Sequence, residues 1–171
     1  RGKQLDVSQL SGGLTNANYL VVADGEKHVV RIPGRSTELL AVDRVVDAVT
    51  SGAYGGRELT IRVNGLDTAW HADDLAAAAG AGPAAVVVPK VNSPADVAAI
   101  EAGLVSGGAP DHTKIWAMVE TPQAMLDCAN IAAASERLTV LVMGTNDLAK
   151  ELHAEHVPGR QPLLTGLGLC L

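Results

Sequence analysis

Apolar residues collect in four short runs along the later part of the chain. They are Leu59-Thr60-Ile61-Arg62-Val63, Ala85-Val86-Val87-Val88-Pro89, Lys114-Ile115-Trp116-Ala117-Met118-Val119 and Leu138-Thr139-Val140-Leu141-Val142-Met143. They recur every 24 to 29 residues, the spacing of βα units. The runs are continuous rather than alternating, which predicts strands of a parallel sheet buried on both faces. Helical patterns fill the gaps. Asp73 and Asp74 load the first turn of one, and Gly80 can end it. Ser93-Pro94 opens the next as N-cap and N1 with Asp96 at N3, and Val97, Ile100 and Leu104 fall on one face. Thr121-Pro122 opens a third with a stripe of Met125, Leu126, Ala129 and Ala133, and Asn146 or Asp147 can cap a fourth.

The front of the chain has a different rhythm. Tyr19-Leu20-Val21-Val22-Ala23 and Val29-Val30-Arg31-Ile32 are β-type runs separated by an Asp24-Gly25 turn signal, the pattern of a β-hairpin. A glycine loop, Ser11-Gly12-Gly13-Leu14-Thr15-Asn16, precedes them. The expected division is a hairpin segment at 1–43 and a βα unit at 44–171. Whether the final segment from Pro162 onward is helical stays open, because Leu163, Leu164 and Leu167 favour helix while Gly166 and Gly168 oppose it.

Composition narrows this picture. Of 171 residues 47% are hydrophobic but only 2% aromatic, with no Phe, so the core must be built from Ala, Val, Leu and Ile. Thirteen basic against nineteen acidic residues, with no basic cluster, exclude a nucleic-acid role. No apolar stretch is long enough for a membrane span, and the polar start is not a signal peptide. Its lack of Met fits a processed, cloned or truncated product. Cys128 and Cys170 lie far apart in sequence and read as two reduced thiols of a cytoplasmic protein rather than a disulfide framework.

Chemistry in parallel βα sheets gathers where strands end. Here the first run carries Arg62 and leads to Asn64-Gly65, the second ends at Pro89-Lys90, the third at Glu120, and the fourth leads through Gly144-Thr145-Asn146 to Asp147. Neighbouring strands lie about 4.8 Å apart, so Glu120 and Asp147 can share one cation. Two carboxylate oxygens, with water and substrate oxygens completing the shell, is the habit of magnesium. Arg62 would add a fixed positive charge, and the trio suits a reaction that develops an enolate. Each residue also has a plainer reading: Glu120 a solvated or helix-terminal charge, Asp147 a helix cap, Arg62 an ion-pair partner. Lys90 is read as solvated and given no role.

The stretch from about 45 to 165 resembles the HpcH/HpaI aldolase and citrate lyase beta-subunit-like family. The resemblance is carried by Gly55-Gly56-Arg57-Glu58-Leu59, Arg62-Val63-Asn64-Gly65-Leu66-Asp67-Thr68, Val87-Val88-Pro89-Lys90-Val91, Val119-Glu120-Thr121-Pro122 and the run from Gly144-Thr145-Asn146-Asp147 to Leu152. It implies a (βα)8 barrel and magnesium. It also implies carbon–carbon cleavage or formation next to a carbonyl, in a 2-oxo acid or an acyl-CoA thioester such as citryl-CoA or malyl-CoA. It implies Glu120 and Asp147 as metal ligands and Arg62 as the contact to substrate carboxylate or enolate. The family's acidic Leu-Glu-Asp segment has no counterpart here, nor do its first two and last two strands. Residues 5–43 resemble the start of a choline/ethanolamine kinase, in the aminoglycoside phosphotransferase group, through the glycine loop, Val29-Val30-Arg31-Ile32-Pro33-Gly34 and Thr37-Glu38-Leu39-Leu40. This resemblance implies nucleotide contact at the glycine loop, but no second kinase lobe follows.

The expected molecule is therefore a chimera joined near Asp43-Arg44. It is of the α/β class: a partial, half TIM-type barrel of about four parallel βα units behind an N-terminal β-hairpin. A half barrel leaves sheet edges unpaired and an apolar face uncovered, with Met118, Val140 and Val142 among its residues. The hairpin adding to one edge, or a homo-oligomer, would resolve this. Three functional readings follow: a magnesium-dependent lyase, a folded chimera without native activity, and a nucleotide- or CoA-binding module.

Overall fold

The computed structural model describes the backbone of residues 5–10, 16–23 and 26–33, and residues 45–171 in full. The chain divides into two compact units, Arg1–Asp47 and Ala48–Leu171. In the first, β1 (Leu5–Leu10), β2 (Asn16–Ala23) and β3 (Glu26–Pro33) form an antiparallel sheet in the order β1-β2-β3. The β2–β3 hairpin expected from the two β-type runs is present, with Ala23 opposite Glu26. Strand β1 was not anticipated. The glycine loop, the Asp24-Gly25 turn, the Thr37–Leu40 motif, the Asp43-Arg44 junction and the Arg31 side chain lie outside the described residues.

The second unit holds a separate sheet of β4 (Thr60–Arg62), β5 (Ala85–Val88), β6 (Lys114–Val119) and β7 (Leu138–Met143). All neighbours are parallel, in chain order. The four predicted strands are thus four strands of one open sheet, alternating with helices. The hairpin strands pair among themselves in a sheet of their own.

The helices follow from local chemistry. Helix α1 (His71–Ala81) has Asp73 and Asp74 in its first turn, as predicted. It runs past Gly80 and stops at Gly82, which adopts the left-handed conformation (φ 60°) that a residue without Cβ enters freely. Helix α2 (Pro94–Ser106) starts with the predicted cap, in which Ser93 accepts from the Asp96 N–H at 3.2 Å. Asp96 reaches back to accept from the Asn92 N–H at 2.7 Å, completing a reciprocal capping arrangement.

The third helix departs from its predicted stripe. It is broken into α3 (Pro122–Leu126) and α4 (Cys128–Ala132), with Asp127 outside helical geometry between them. The break rotates the apolar face. Ala124, Cys128 and Ile131 are buried, while Leu126, Ala129 and Ala133 face solvent. Helix α5 (Thr145–Glu151) starts from Gly144 without a side-chain cap, so neither Asn146 nor Asp147 caps it; Asp147 lies in its first turn. A 3-10 turn (Gln161–Leu163) leads into α6 (Leu164–Leu169), so the final segment is helical despite its glycines.

Burial alternates along β4 and β6. Ile61, Val86, Val88, Ile115, Ala117 and Val119 join Leu75 of α1, Val97, Ile100 and Leu104 of α2 and Ile131 of α4 in one core. The opposite face, with Val87, Trp116, Met118, Val140 and Val142, is only half-buried. The apolar runs therefore do not mark burial on both faces here, because the helices of this unit cover one. Ile100 is wholly buried in α2. Its replacement by Ala should cost about 2–5 kcal/mol by transfer and cavity terms. The same change at Val105, 61% exposed, should stay within about 0.5 kcal/mol. Denaturant midpoints of the two variants check this contrast.

Candidate metal and substrate site

The C-terminal ends of the four strands bring the chemistry together. Arg62 closes β4 and pairs in register with Val87 of β5; its side chain is exposed and makes no ion pair among the described residues. Val119, the last residue of β6, pairs with Met143 of β7, so Glu120 and Gly144 emerge side by side. The Gly144 N–H donates to the Val119 carbonyl at 3.0 Å and extends this pairing by one step. Asp147 follows three residues later.

Glu120 is 1% exposed, an extreme position for a carboxylate. Its Oε1 accepts from the Lys90 backbone N–H at 2.9 Å. Its Oε2 is buried with no hydrogen-bond partner. Burial pushes the Glu120 carboxyl above its ordinary range, and the nearby Asp147 carboxylate pushes it the same way. The Lys90 N–H bond and the charges of Arg62 and Lys90 pull it back. Asp147 and Arg62 are thus both within electrostatic reach of Glu120. Among the described residues no group of three or more His, Cys, Asp or Glu side chains gathers as a metal site. The carboxylate pair and the unsatisfied Oε2 fit a hard cation that keeps most of its shell as water and substrate oxygens.

Several supporting groups were not legible beforehand. Lys90, a solvated charge by its sequence pattern, holds Glu120 through its backbone N–H; it does so from a left-handed conformation (φ 53°), rare for a residue with a Cβ. Its place directly after Pro89 at a strand end was the available signal. Gly144 is required by space: a Cβ there would lie 2.5 Å from the Glu120 Cβ. Thr121 caps α3 as its sequence position predicts, accepting from the Ala124 N–H at 3.1 Å; what the sequence does not show is that its hydroxyl donates to Asn92 Oδ1, tying the loop after Glu120 to the loop after β5. Asp74 Oδ2 accepts from both the backbone and side-chain N–H of Asn64, at 2.9 and 2.7 Å. His71 Nδ1 lies 2.8 Å from the Asn64 carbonyl, which requires the proton on Nδ1. These contacts pin the loop that follows Arg62.

Gly144→Ala should displace Glu120, destabilise the unit by about 1–3 kcal/mol and weaken any cation response. Urea unfolding with and without magnesium checks both effects.

A profile of the HpcH/HpaI aldolase/citrate lyase family matches residues 20–167. The chain belongs to this family. It is 49% identical over 169 residues to a (3S)-malyl-CoA thioesterase of Cereibacter sphaeroides, covering 99% of this chain and 54% of the relative. It is 33% identical over 125 residues to the citrate lyase subunit beta of Escherichia coli, covering 70% and 41%. A solved citrate lyase beta subunit from M. tuberculosis, complexed with oxaloacetate and magnesium, superposes with a TM-score of 0.53 at 28% identity. That match covers 66% of this chain and 48% of the other. The chain thus spans about half the length of the curated relatives it matches. The kinase resemblance of residues 5–43, and the chimera inferred from it, find no support. The family match begins at residue 20, inside that segment, and the thioesterase alignment takes in almost the whole chain. Among the described residues no helix is long and apolar enough to cross a membrane.

Proposed function

We propose that this family member carries a magnesium-dependent site that acts on a 2-oxo acid or an acyl-CoA thioester of the malyl-CoA or citryl-CoA type through an enolate. The observation that carries the reading is the buried, unpartnered Oε2 of Glu120 beside a second carboxylate, an arrangement that is unfavourable without a cation. Glu120 and Asp147 would hold the magnesium. When bound, the ion supplies positive charge for the oxyanion that develops as the bond next to the carbonyl breaks or forms. Arg62 binds the substrate's carboxylate or enolate oxygen and orients it. Lys90, through its backbone N–H, keeps Glu120 turned so that one oxygen is free for the ion.

Likeness to a thioesterase favours a second reaction, in which water cleaves the thioester instead. The two readings separate by product. Malyl-CoA cleaved between carbons yields acetyl-CoA and glyoxylate, whereas hydrolysis yields free CoA thiol and malate. The half-buried apolar face of the β4–β7 sheet further supports a homo-oligomer, which light scattering on the purified chain would detect.

The deciding experiment is magnesium titration by calorimetry, with oxaloacetate or pyruvate present, on the wild type and on Asp147→Asn. Magnesium binding that is lost in Asp147→Asn is expected. Equal binding by both proteins, or none by the wild type, would remove the proposed site.

A further inference from the structure

Cys128 and Cys170, remote in sequence, meet in the fold. Cys128 begins α4, is 5% exposed, and donates its thiol hydrogen to the Leu169 carbonyl at 2.9 Å. Cys170 follows immediately, ends α6 with its N–H on the Gly166 carbonyl at 3.2 Å, and packs its side chain against the main core. The carbonyl that Cys128 reaches belongs to the peptide unit joining Leu169 to Cys170, so the fold brings the two cysteines together. Neither belongs to the site at the strand ends.

We propose that Cys128 and Cys170 are an oxidisable pair that closes into an intrachain disulfide, with a peroxide or a small-molecule disulfide as the oxidant. The Cys128 sulfur already lies against the peptide unit of Cys170, so closing to the roughly 2.05 Å of a disulfide asks for a local adjustment rather than refolding. With hydrogen peroxide, the more exposed Cys170 attacks as thiolate and breaks the O–O bond, forming a sulfenic acid and releasing hydroxide. The Cys128 sulfur then attacks the Cys170 sulfur, displacing the second oxygen, and its proton leaves with that oxygen as water. Two thiols lose two electrons and the peroxide gains them.

The clasp would act on the layer beneath the carboxylates. Gly166 of α6 sits directly against the Met125 sulfur of α3, the helix that starts after Glu120. Leu163, just before α6, packs with Leu148 and Ala149 of α5, the helix that carries Asp147. A bond from Cys170 to α4 therefore ties down the segment that buttresses both. Burial, with the neighbouring Cys128, pushes the Cys170 thiol up to about 11. Little thiolate exists near neutral pH, so oxidation is slow there and quickens by roughly tenfold per pH unit below that value.

The test treats the reduced full chain with hydrogen peroxide or oxidised glutathione across a pH series. Intact mass, thiol count under denaturing conditions, non-reducing electrophoresis and thermal melting are followed. The expected result is loss of two hydrogens and of both thiols together, in a species that stays one chain and is restored by dithiothreitol. Its melting temperature should rise by roughly 5–10 °C. Cys128→Ser and Cys170→Ser should each keep one thiol open to overoxidation or glutathione capping, with no such rise. A wild type that gains oxygen at one cysteine while the other stays free, that forms only interchain bonds, or that melts no higher when oxidised, would overturn the proposal.

Discussion

Glu120→Gln should unfold at a higher temperature than the wild type in magnesium-free buffer above neutral pH, and should lose the stabilisation that magnesium gives the wild type. The sign follows from the raised Glu120 carboxyl. A carboxyl raised by folding contributes stability fully below its unfolded value. That contribution is lost as pH rises through the folded value. The metal-free wild type therefore carries an increasing disadvantage relative to Glu120→Gln from mildly acidic pH upward, levelling once Glu120 is ionised. Gln keeps an oxygen to accept from the Lys90 N–H but brings no charge beside Asp147. Magnesium inverts the comparison. At an ion concentration a hundredfold above its Kd, the wild type should gain about 2.7 kcal/mol, and Glu120→Gln almost none. Thermal melts of both proteins across pH, with and without magnesium, contain the whole test. A wild type indifferent to magnesium, or a variant that responds equally, would sink the assignment.

Arg62→Ala should have the largest effect on turnover while sparing the ion. Arg62 is exposed at the end of β4, supports no core, and makes no ion pair among the described residues. Its removal should leave folding intact. If it holds the developing negative charge of the substrate, kcat/KM should fall by roughly 100- to 1000-fold. The magnesium-induced rise in melting temperature should persist. Arg62→Lys should recover only part of the loss, since an ammonium cannot reproduce the two-pronged geometry of a guanidinium on a carboxylate. Equal losses of activity and magnesium response in Arg62→Ala would instead make Arg62 a structural support of the carboxylates.

Much of this arrangement was legible because it is local. A continuous apolar run followed at once by a charged residue marks both a strand and its polar end, and Glu120 after Val119 is read without knowing any contact. The caps at Ser93 and Thr121 are equally local, since each hydroxyl bonds an N–H three residues on. What escaped depends on contacts between remote residues, or on a backbone state no side chain announces. The break at Asp127 interrupts an apparently continuous helical stripe, so the periodicity names Leu126, 81% exposed, as core. The Lys90 N–H reaches Glu120 across 30 residues, from a conformation its side chain would disfavour. Cys128 and Cys170 meet only because α6 folds back over the broken helix. Residues of one strand face, such as Trp116 and Met118, look like core by composition, and only the helix layer decides which face is covered.

The chain-order sheet also has a kinetic meaning. Each of β5, β6 and β7 pairs with the strand made just before it, one helical connection away. No pairing in this sheet waits for a distant segment, and each closure spans a loop of similar modest length. The unit can grow by successive addition, each new βα element docking on a template already in place, as in a repeat array. Glu120 follows β6 and Asp147 follows β7, so the pair of like charges is assembled only after the core formed by β4, β5 and their helices is there to hold it.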